Sequence, residues 1–246
     1  MAERERHLGH VEIRRLRTLD EFDATLPLQR QIWGFAEADL VAPRLFAVFD
    51  HIGGSCLGAY LDDEIVGYAL AFSAIKPDCT PYWHSHMAGV APHSQGLGVG
   101  RLLKVRQRSD ALAAGIDRIE WTFDPLQARN AYFNIEKLGT EVGAYLPNFY
   151  GITSSELHGS LPTDRLVVSW NLRQPAVESR LAGNPPPLQA GTVRIEIPAR
   201  ISEVPRDQAL RVQERVRRQF AGSLGAGLRV TGFERTASGG IYHLNS

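Results

Sequence analysis

The order of apolar and polar positions along the chain predicts alternating strands and helices. Two apolar, β-rich runs at residues 55–61 and 65–75 are separated by three acidic residues, a pattern typical of a β-hairpin. Another strand is predicted over residues 82–90, followed by a helix that ends near Ala114 and a strand over residues 116–123. The last three elements predict a parallel βαβ unit with a right-handed crossover.

Periodicity also predicts which side of the central helix is buried. Leu102, Val105, Ser109 and Leu112 fall on one helical face, whereas Lys104 falls on the polar side. The remaining predicted elements are a strand at 11–16, helices at 18–33 and 127–138, strands at 145–150, 165–172 and 193–197, a helix with apolar residues at 209, 212, 216 and 220, and strands at 228–233 and 241–244.

The proline distribution divides the chain into three parts. Residues 11–173 form the predicted main domain, the proline-rich residues 174–191 are predicted to be a linker or surface loop, and residues 192–246 are a small C-terminal α/β extension. About 55 residues are marginal for an independently folded domain. We therefore expect the extension to pack on the main domain or on a second subunit.

Charge and composition exclude some classes of protein. Lys+Arg and Asp+Glu both number 27, and this balance argues against a general nucleic-acid binder. Two cysteines, Cys56 and Cys79, do not make a disulfide framework, so a reducing, cytoplasmic location is predicted. No apolar run reaches the roughly 18 residues of a membrane span, and the charged first ten residues lack an apolar signal core.

One loop carries most of the functional information. The residues Gln95-Gly96-Leu97-Gly98-Val99-Gly100 lie between a predicted strand and a predicted helix, where backbone N–H groups and the helix dipole favour an anion. A Walker loop would end in Gly-Lys-Ser/Thr, but Gly100 is followed by Arg101. The glycine spacing also differs from the G-x-G-x-x-G dinucleotide fingerprint. The alternative to an anion-binding loop is a purely structural glycine turn between the strand and the helix.

The loop resembles the Gln/Arg-x-x-Gly-x-Gly/Ala pyrophosphate loop of the GNAT acyltransferases. The order of predicted elements over about residues 11–172 is also similar to that family. The resemblance implies an α/β GNAT fold with a mixed central sheet and splayed parallel strands. It also implies acetyl-CoA or another acyl-CoA as co-substrate, and no metal.

The resemblance places the acyl-CoA on two stretches of this chain. The pyrophosphate would bind the backbone N–H groups of Gln95 to Gly100, with Arg101 next to them. The pantetheine arm would run along Ala88, Gly89 and Val90, and the backbone N–H groups near Gly89 and Val90 would also stabilise the oxyanion.

Candidate acid and base groups are less well defined. Some GNAT proteins place a general-base Glu six residues before the position of Val90, which is His84 here. Strict alternation along a strand would put His84 and His86 on one face with Ala88 and Val90. A histidine near its reference pKa of about 6.5 can accept a proton near neutral pH. A structural role for both histidines, with water as the base, is the alternative.

The helix that would cover the thioester departs from the family pattern. Many relatives carry a general-acid Tyr four residues before the glycine that ends this helix, and that position here is Ile135, counted from Gly139. Tyr132 is the candidate acid instead. The family's upstream Asn, which would contact the CoA, is also displaced, and Asn130 is the nearest candidate.

Two other kinds of chemistry are not expected. The residues Cys79, His84, His86 and His93 match no standard zinc spacing, so no metal site is predicted. The sequence setting of both cysteines is that of unreactive structural thiols. A group of C-terminal arginines is predicted to be a solvated face or a dimer rim; its members are Arg211, Arg215, Arg217 and Arg218.

The predicted function is acyl-CoA-dependent transfer of an acetyl or succinyl group to a small amine, with amino acids among the candidate acceptors. Residues 121–126, 128–134 and 137–139 resemble a bacterial GNAT subgroup with a C-terminal extension, some of whose members acylate or succinylate amino acids. The alternatives are a non-catalytic acyl-CoA-binding module and a protein N-acetyltransferase. No nucleic-acid or membrane partner is expected, and a homodimer is left open.

Overall fold

The computed structural model describes residues 11–151, 153–155 and 161–246. They form two compact units, the first ending at Ile116 and the second beginning at Asp117. The charged first ten residues lie outside the described residues. The predicted limits of the main domain, linker and extension stay predictions.

The first unit is an antiparallel sheet with helices. Its strands run in the order β1-β2-β3-β4. The elements are β1 (Glu12–Arg15), α1 (Leu19–Asp23), α2 (Thr25–Trp33), α3 (Pro43–His51), β2 (Ser55–Leu61), β3 (Glu64–Ile75), β4 (Pro81–Val90) and α4 (Val99–Ala113). The predicted β2-β3 hairpin is confirmed, and Asp62 and Asp63 adopt the positive φ angles of its tight turn, 49° and 64°.

Two apolar clusters stabilise this unit. One contains side chains from α1, α2 and α3 together with Tyr68, Leu70 and Met87 from the sheet. The other contains Val99 and Leu103 of α4, which pack with residues from β2 and β3. The two clusters hold different residues of the same strands, as expected for a sheet with apolar side chains on both faces.

Within the second unit, neighbouring strands pair antiparallel in the orders β5-β7-β6 and β8-β10-β9. Its elements are β5 (Arg118–Phe123), α5 (Ala128–Tyr132), a π-helical turn (Phe133–Leu138) that continues α5, β6 (Glu141–Leu146), β7 (Arg165–Asn171), α6 (Pro175–Leu181), β8 (Val193–Pro198), α7 (Arg206–Gly225), β9 (Arg229–Arg235) and β10 (Gly239–Asn245).

Within this unit, a buried ion pair joins the extension to the β5-β7-β6 sheet. Arg217 of α7 donates two hydrogen bonds, of 3.0 and 2.8 Å, to the carboxylate of Asp164, whose side chain is fully buried. The same carboxylate accepts hydrogen bonds from the Tyr145 hydroxyl and the Asn148 N–H. In addition, the Tyr242 hydroxyl donates to the Pro125 carbonyl at 2.7 Å. These hydrogen bonds hold the extension to other residues of the second unit, in agreement with the expectation that it packs on the main domain.

Four expectations need correction. Residues 175–181 of the predicted linker are helical, because Val177 is buried there. The strand predicted at 145–150 lies at 141–146 instead. Of the four arginines predicted to be solvated on α7, Arg217 instead pairs with buried Asp164, whereas the other three are exposed.

The fourth correction concerns the buried face of α4. It contains Val99, Leu103, Lys104, Gln107 and Ala111. The predicted face was wrong because the two polar residues Lys104 and Gln107 interrupt the apolar period. Leu102, predicted to be buried, is 38% exposed.

Candidate active site

The glycine-rich loop has alternating inward and outward residues. Leu97 and Val99 pack into the apolar cluster of α4, which fixes the loop against the sheet. Gly96 and Gly98 are exposed and adopt φ angles of 88° and 83°, in the left-handed region that favours glycine. A Cβ atom built on either glycine would meet nothing within 4 Å, so open space lies outside the loop.

The start of α4 fits an anionic ligand. Gly98 is the N-cap and supplies no capping side chain, so the helix begins without a side-chain acceptor for its first N–H groups. A 15-residue helix also presents its positive dipole end there. Gln95 Nε2 donates to the Val90 carbonyl at 3.1 Å, which ties the loop to the end of β4. The loop residues therefore fit the pyrophosphate of an acyl-CoA.

Strand β4 contains a bulge that overturns the predicted strand parity. Leu70 pairs with Met87 and the next residue, Ala71, pairs with Ser85, so His86 is an extra residue in β4. Because paired residues point to the same face, His84 lies on the face of Met87 and Gly89. Ala88 and Val90 lie on the opposite face with Ser85. The expectation that His84 and His86 share a face with Ala88 and Val90 was wrong.

The two histidines lie in an aromatic environment. The His84 ring pairs across the sheet with Phe72, at 5.2 Å between ring centroids, and the His86 ring lies 6.0 Å from the same Phe72. The rings of His84 and His86 are 6.2 Å apart. His84 is half-buried and His86 is exposed, yet desolvation by the surrounding protein lowers the pKa of His86.

Gly89 follows the bulge and is needed for close helix packing. A Cβ atom at this position would lie 2.5 Å from the Trp33 ring and 2.9 Å from Ile32 of α2. The three predicted pantetheine contacts form the last residues of β4, where Ala88 is exposed and Gly89 and Val90 are half-buried. They thus lead directly into the glycine-rich loop.

Tyr132 and Asn130 belong to the second unit, on α5. Tyr132 is half-buried, with the Lys137 ammonium 5.4 Å and the Arg235 guanidinium 5.3 Å from its ring centroid. Asn130 is exposed. Ile135, at the family's tyrosine position, is 3% exposed.

The helix after Tyr132 widens into the π-helical turn, and π-turns are frequent at functional sites. Asn134 stabilises this turn, because its carbonyl accepts from the Thr140 N–H and its side chain accepts from Trp121 Nε1. The turn changes the spacing between Tyr132 and Gly139, so counting back along a regular α-helix does not locate equivalent residues here.

The cysteines have no catalytic geometry. Cys56 is buried, its thiol donates to the Phe46 carbonyl, and burial raises its pKa to about 12. Cys79 is exposed in a turn with φ 64°. In the parts of the chain that the structure describes, no three His, Cys, Asp or Glu side chains are grouped so that they could hold a metal ion.

The family model of the acetyltransferase (GNAT) family matches residues 15–139, which is about half of the chain. The chain therefore belongs to the GNAT acetyltransferase family and is a CoA-dependent acyltransferase with acyl-CoA as co-substrate. The predicted GNAT fold and small C-terminal extension are confirmed. A comparison with curated proteins found no match. Among the described residues, no helix is both long and apolar enough to cross a membrane.

Solved structures with the same fold cover about two thirds of this chain. A protein of Salmonella typhimurium solved with its cofactor acetyl-CoA is 18% identical, with a TM-score of 0.54 over 68% of this chain and 97% of that one. The ribosomal-protein-S18-alanine N-acetyltransferase of Escherichia coli is 15% identical, with a TM-score of 0.52 over 67% of this chain and 96% of that one. An acetyltransferase of the GNAT family from Streptococcus pneumoniae is 14% identical, with a TM-score of 0.51 over 65% of this chain and 98% of that one.

Sequence reasoning missed two groups near the candidate residues. The Lys104 ammonium, placed on the polar side of α4, donates to the Ser85 hydroxyl on β4. Arg235, in the C-terminal extension, lies over the Tyr132 ring. No motif marks either contact. For Lys104, the interrupted apolar period of α4 was a signal in the sequence, and for Arg235 there was none.

Replacing Gly98 with valine is expected to weaken acyl-CoA binding about tenfold or more. A β-branched side chain in the left-handed region costs about 1–2 kcal/mol, and it would also enter the space where the phosphates approach. Gly115→Val is the matched control, since Gly115 has a φ of 75° and equally open surroundings at the other end of α4. Titration calorimetry with CoA measures both variants. Equal affinity in Gly98→Val and wild type would contradict the phosphate-loop assignment.

Proposed function

We propose that this protein transfers the acyl group of an acyl-CoA, acetyl or succinyl, to a small amine, with amino acids as the leading acceptor class. The observation that carries the proposal is the glycine-rich loop at the uncapped start of α4, with open space outside Gly96 and Gly98. Backbone N–H groups at such a helix start are suited to the pyrophosphate of CoA.

The proposed reaction is a direct transfer. The neutral amine attacks the thioester carbonyl carbon, a C–N bond forms, and the C–S bond breaks with its electron pair leaving on sulfur. His84, or a water held by it, takes the amine proton, and Tyr132 supplies a proton to the thiolate. The N–H groups of Gly89 and Val90 stabilise the negative charge on the carbonyl oxygen. Asn130 is proposed as a further contact to the CoA.

The test measures acyl transfer for every combination of amine and acyl-CoA donor, and the readout is the free CoA thiol that each reaction releases. The acceptors are single amino acids, polyamines and short peptides with free N-termini, and the donors are acetyl-CoA and succinyl-CoA. Turnover with amino acids is the expected result. Turnover with peptides alone would instead favour a protein N-acetyltransferase, and CoA binding without any turnover would favour a non-catalytic binding module.

The place of action is part of the proposal. Both cysteines are free thiols, and Cys79 is exposed, a state that a reducing compartment maintains. We therefore propose a cytoplasmic location. A homodimer stays a prediction, to be tested by light scattering of the purified protein.

A further inference from the structure

Helix α4 buries two polar side chains that the proposed reaction does not use. Lys104 is 3% exposed and Gln107 is fully buried, at positions where a helix packed on a sheet ordinarily carries apolar residues. Burying an ammonium group is costly unless hydrogen bonds compensate, and here burial lowers the pKa of Lys104 to about 7. Because burial of the Lys104 ammonium is unfavourable, we looked for a function that its contacts could serve.

The contacts of Lys104 join the helix to strand β4. Its Nζ atom donates to Ser85 Oγ at 2.7 Å and to Gln107 Oε1 at 3.1 Å. Ser85 is itself only 4% exposed. A short hydrogen bond from an ammonium to a buried hydroxyl restricts the sliding of helix against strand more than apolar packing does, because it depends on direction.

Both residues of the Lys104–Ser85 hydrogen bond lie close to parts of the candidate site. Ser85 is the β4 residue next to the bulge, where the pairing changes from Ala71–Ser85 to Leu70–Met87. Lys104 lies about one helical turn after Gly100, the last glycine of the phosphate loop. The hydrogen bond thus connects the start of α4 to the place where β4 changes which face its side chains occupy.

We infer that Lys104 is a positioning residue that fixes the offset, meaning the relative position along the strand direction, between the phosphate loop and the bulge of β4. The inference rests on the proposed function. The pantetheine arm of an acyl-CoA has a limited reach, so a donor held by its phosphates at Gly96–Gly100 brings its thioester to a short stretch of β4. A shift of about 1 Å in that offset moves the thioester away from its attack geometry, and such shifts cost up to about 100-fold in rate.

Two variants remove the link without opening a large cavity. Ser85→Ala removes the acceptor, and Lys104→Met keeps a similar length without the ammonium. Each is expected to lower kcat with acyl-CoA about tenfold, within the range for a small misplacement. The double variant is expected to be no slower than the slower single variant, because both changes remove the same hydrogen bond. Ser55→Ala is the matched control, since Ser55 is fully buried on β2 and its Oγ makes no hydrogen bond within the described residues.

A donor without phosphates distinguishes positioning from a general structural role. Acyl-pantetheine is not anchored at the loop, so its reaction does not depend on the offset between loop and bulge. The tenfold difference between wild type and Ser85→Ala is therefore expected to shrink to about one with acyl-pantetheine. An equal loss with both donors, or no loss with acyl-CoA, would overturn the inference.

Amide hydrogen exchange gives a readout that does not need turnover. CoA binding to the wild type is expected to slow exchange at residues 84–90, and this response is expected to be lost in Ser85→Ala but kept in Ser55→Ala. The same slowing in Ser85→Ala and wild type would overturn the inference. A wild type that binds CoA without any acyl transfer would overturn the proposed function alone, and the exchange result would then decide the inference.

Discussion

Replacing His84 with alanine is expected to lower kcat/KM for acyl transfer by about 10²–10⁴-fold, the usual range for loss of a general base. His84 lies on the same face of β4 as Gly89, and its ring is half-buried against Phe72. A base must be unprotonated to accept the amine proton, so activity should fall as the pH decreases. The check is a pH–rate profile of kcat/KM for wild type and His84→Ala.

His86→Ala is the matched control for this experiment. His86 contacts the same Phe72 ring, but it is the extra residue of the bulge and is exposed. Desolvation lowers the pKa of His86. If His86 caused the acidic limb of the pH–rate profile, that limb would therefore lie below the ordinary histidine value of about 6.5. Nearly full activity in His84→Ala, with an unchanged acidic limb, would return His84 to a structural role. Tyr132→Phe tests the proposed acid in the same assay.

Replacing Arg217 with methionine is expected to lower the free energy of unfolding by about 3 kcal/mol. The change leaves the fully buried Asp164 carboxylate without its bidentate cation, and breaking a buried ion pair on one side costs about 3–5 kcal/mol. The lower end applies because the Arg217 side chain is 29% exposed. In a chain of this size the melting temperature should fall by about 6–12 °C.

Arg218→Met separates this effect from the general loss of a helix arginine. Arg218 is the next residue of α7, its side chain is 74% exposed, and its ion pair with Glu214 spans 3.7 Å. Its replacement should change the free energy of unfolding by no more than about 0.5 kcal/mol. Urea denaturation of both variants measures the difference. Equal stability losses would contradict the assignment of Asp164 and Arg217 as a buried anchor of the extension.

The glycine-rich loop before α4 could be predicted from the sequence because its signal is local. Gly96 and Gly98 adopt the left-handed conformation that favours glycine, and the apolar residues Leu97 and Val99 pack inward. The β2-β3 hairpin was equally predictable, since its acidic turn lies between two apolar runs. For both features, neighbouring residues in the sequence were sufficient for the prediction.

The position of His84 in β4 could be predicted from the sequence, but the face of the strand on which it lies could not. Strand periodicity assumes one residue per step, and the extra residue His86 breaks that assumption in β4. The bulge is defined by pairing with β3, and neighbouring Ser85 is bonded to Lys104, so both features join residues far apart in the chain. No local pattern encodes such contacts. For the same reason, apolar periodicity assigned Lys104 to the wrong side of α4.

The π-helical turn at Phe133–Leu138 has a consequence for how this helix can change in evolution or design. Such a turn behaves as a one-residue insertion in an α-helix, so deleting one residue within it would restore regular α-helical winding. Because the turn holds one residue more than an α-helix would hold in the same stretch, the deletion would leave Tyr132 and Gly139 in nearly their present relative orientation. A single-codon deletion within the turn is thus expected to shorten the chain by one residue without turning Tyr132 away from its present direction.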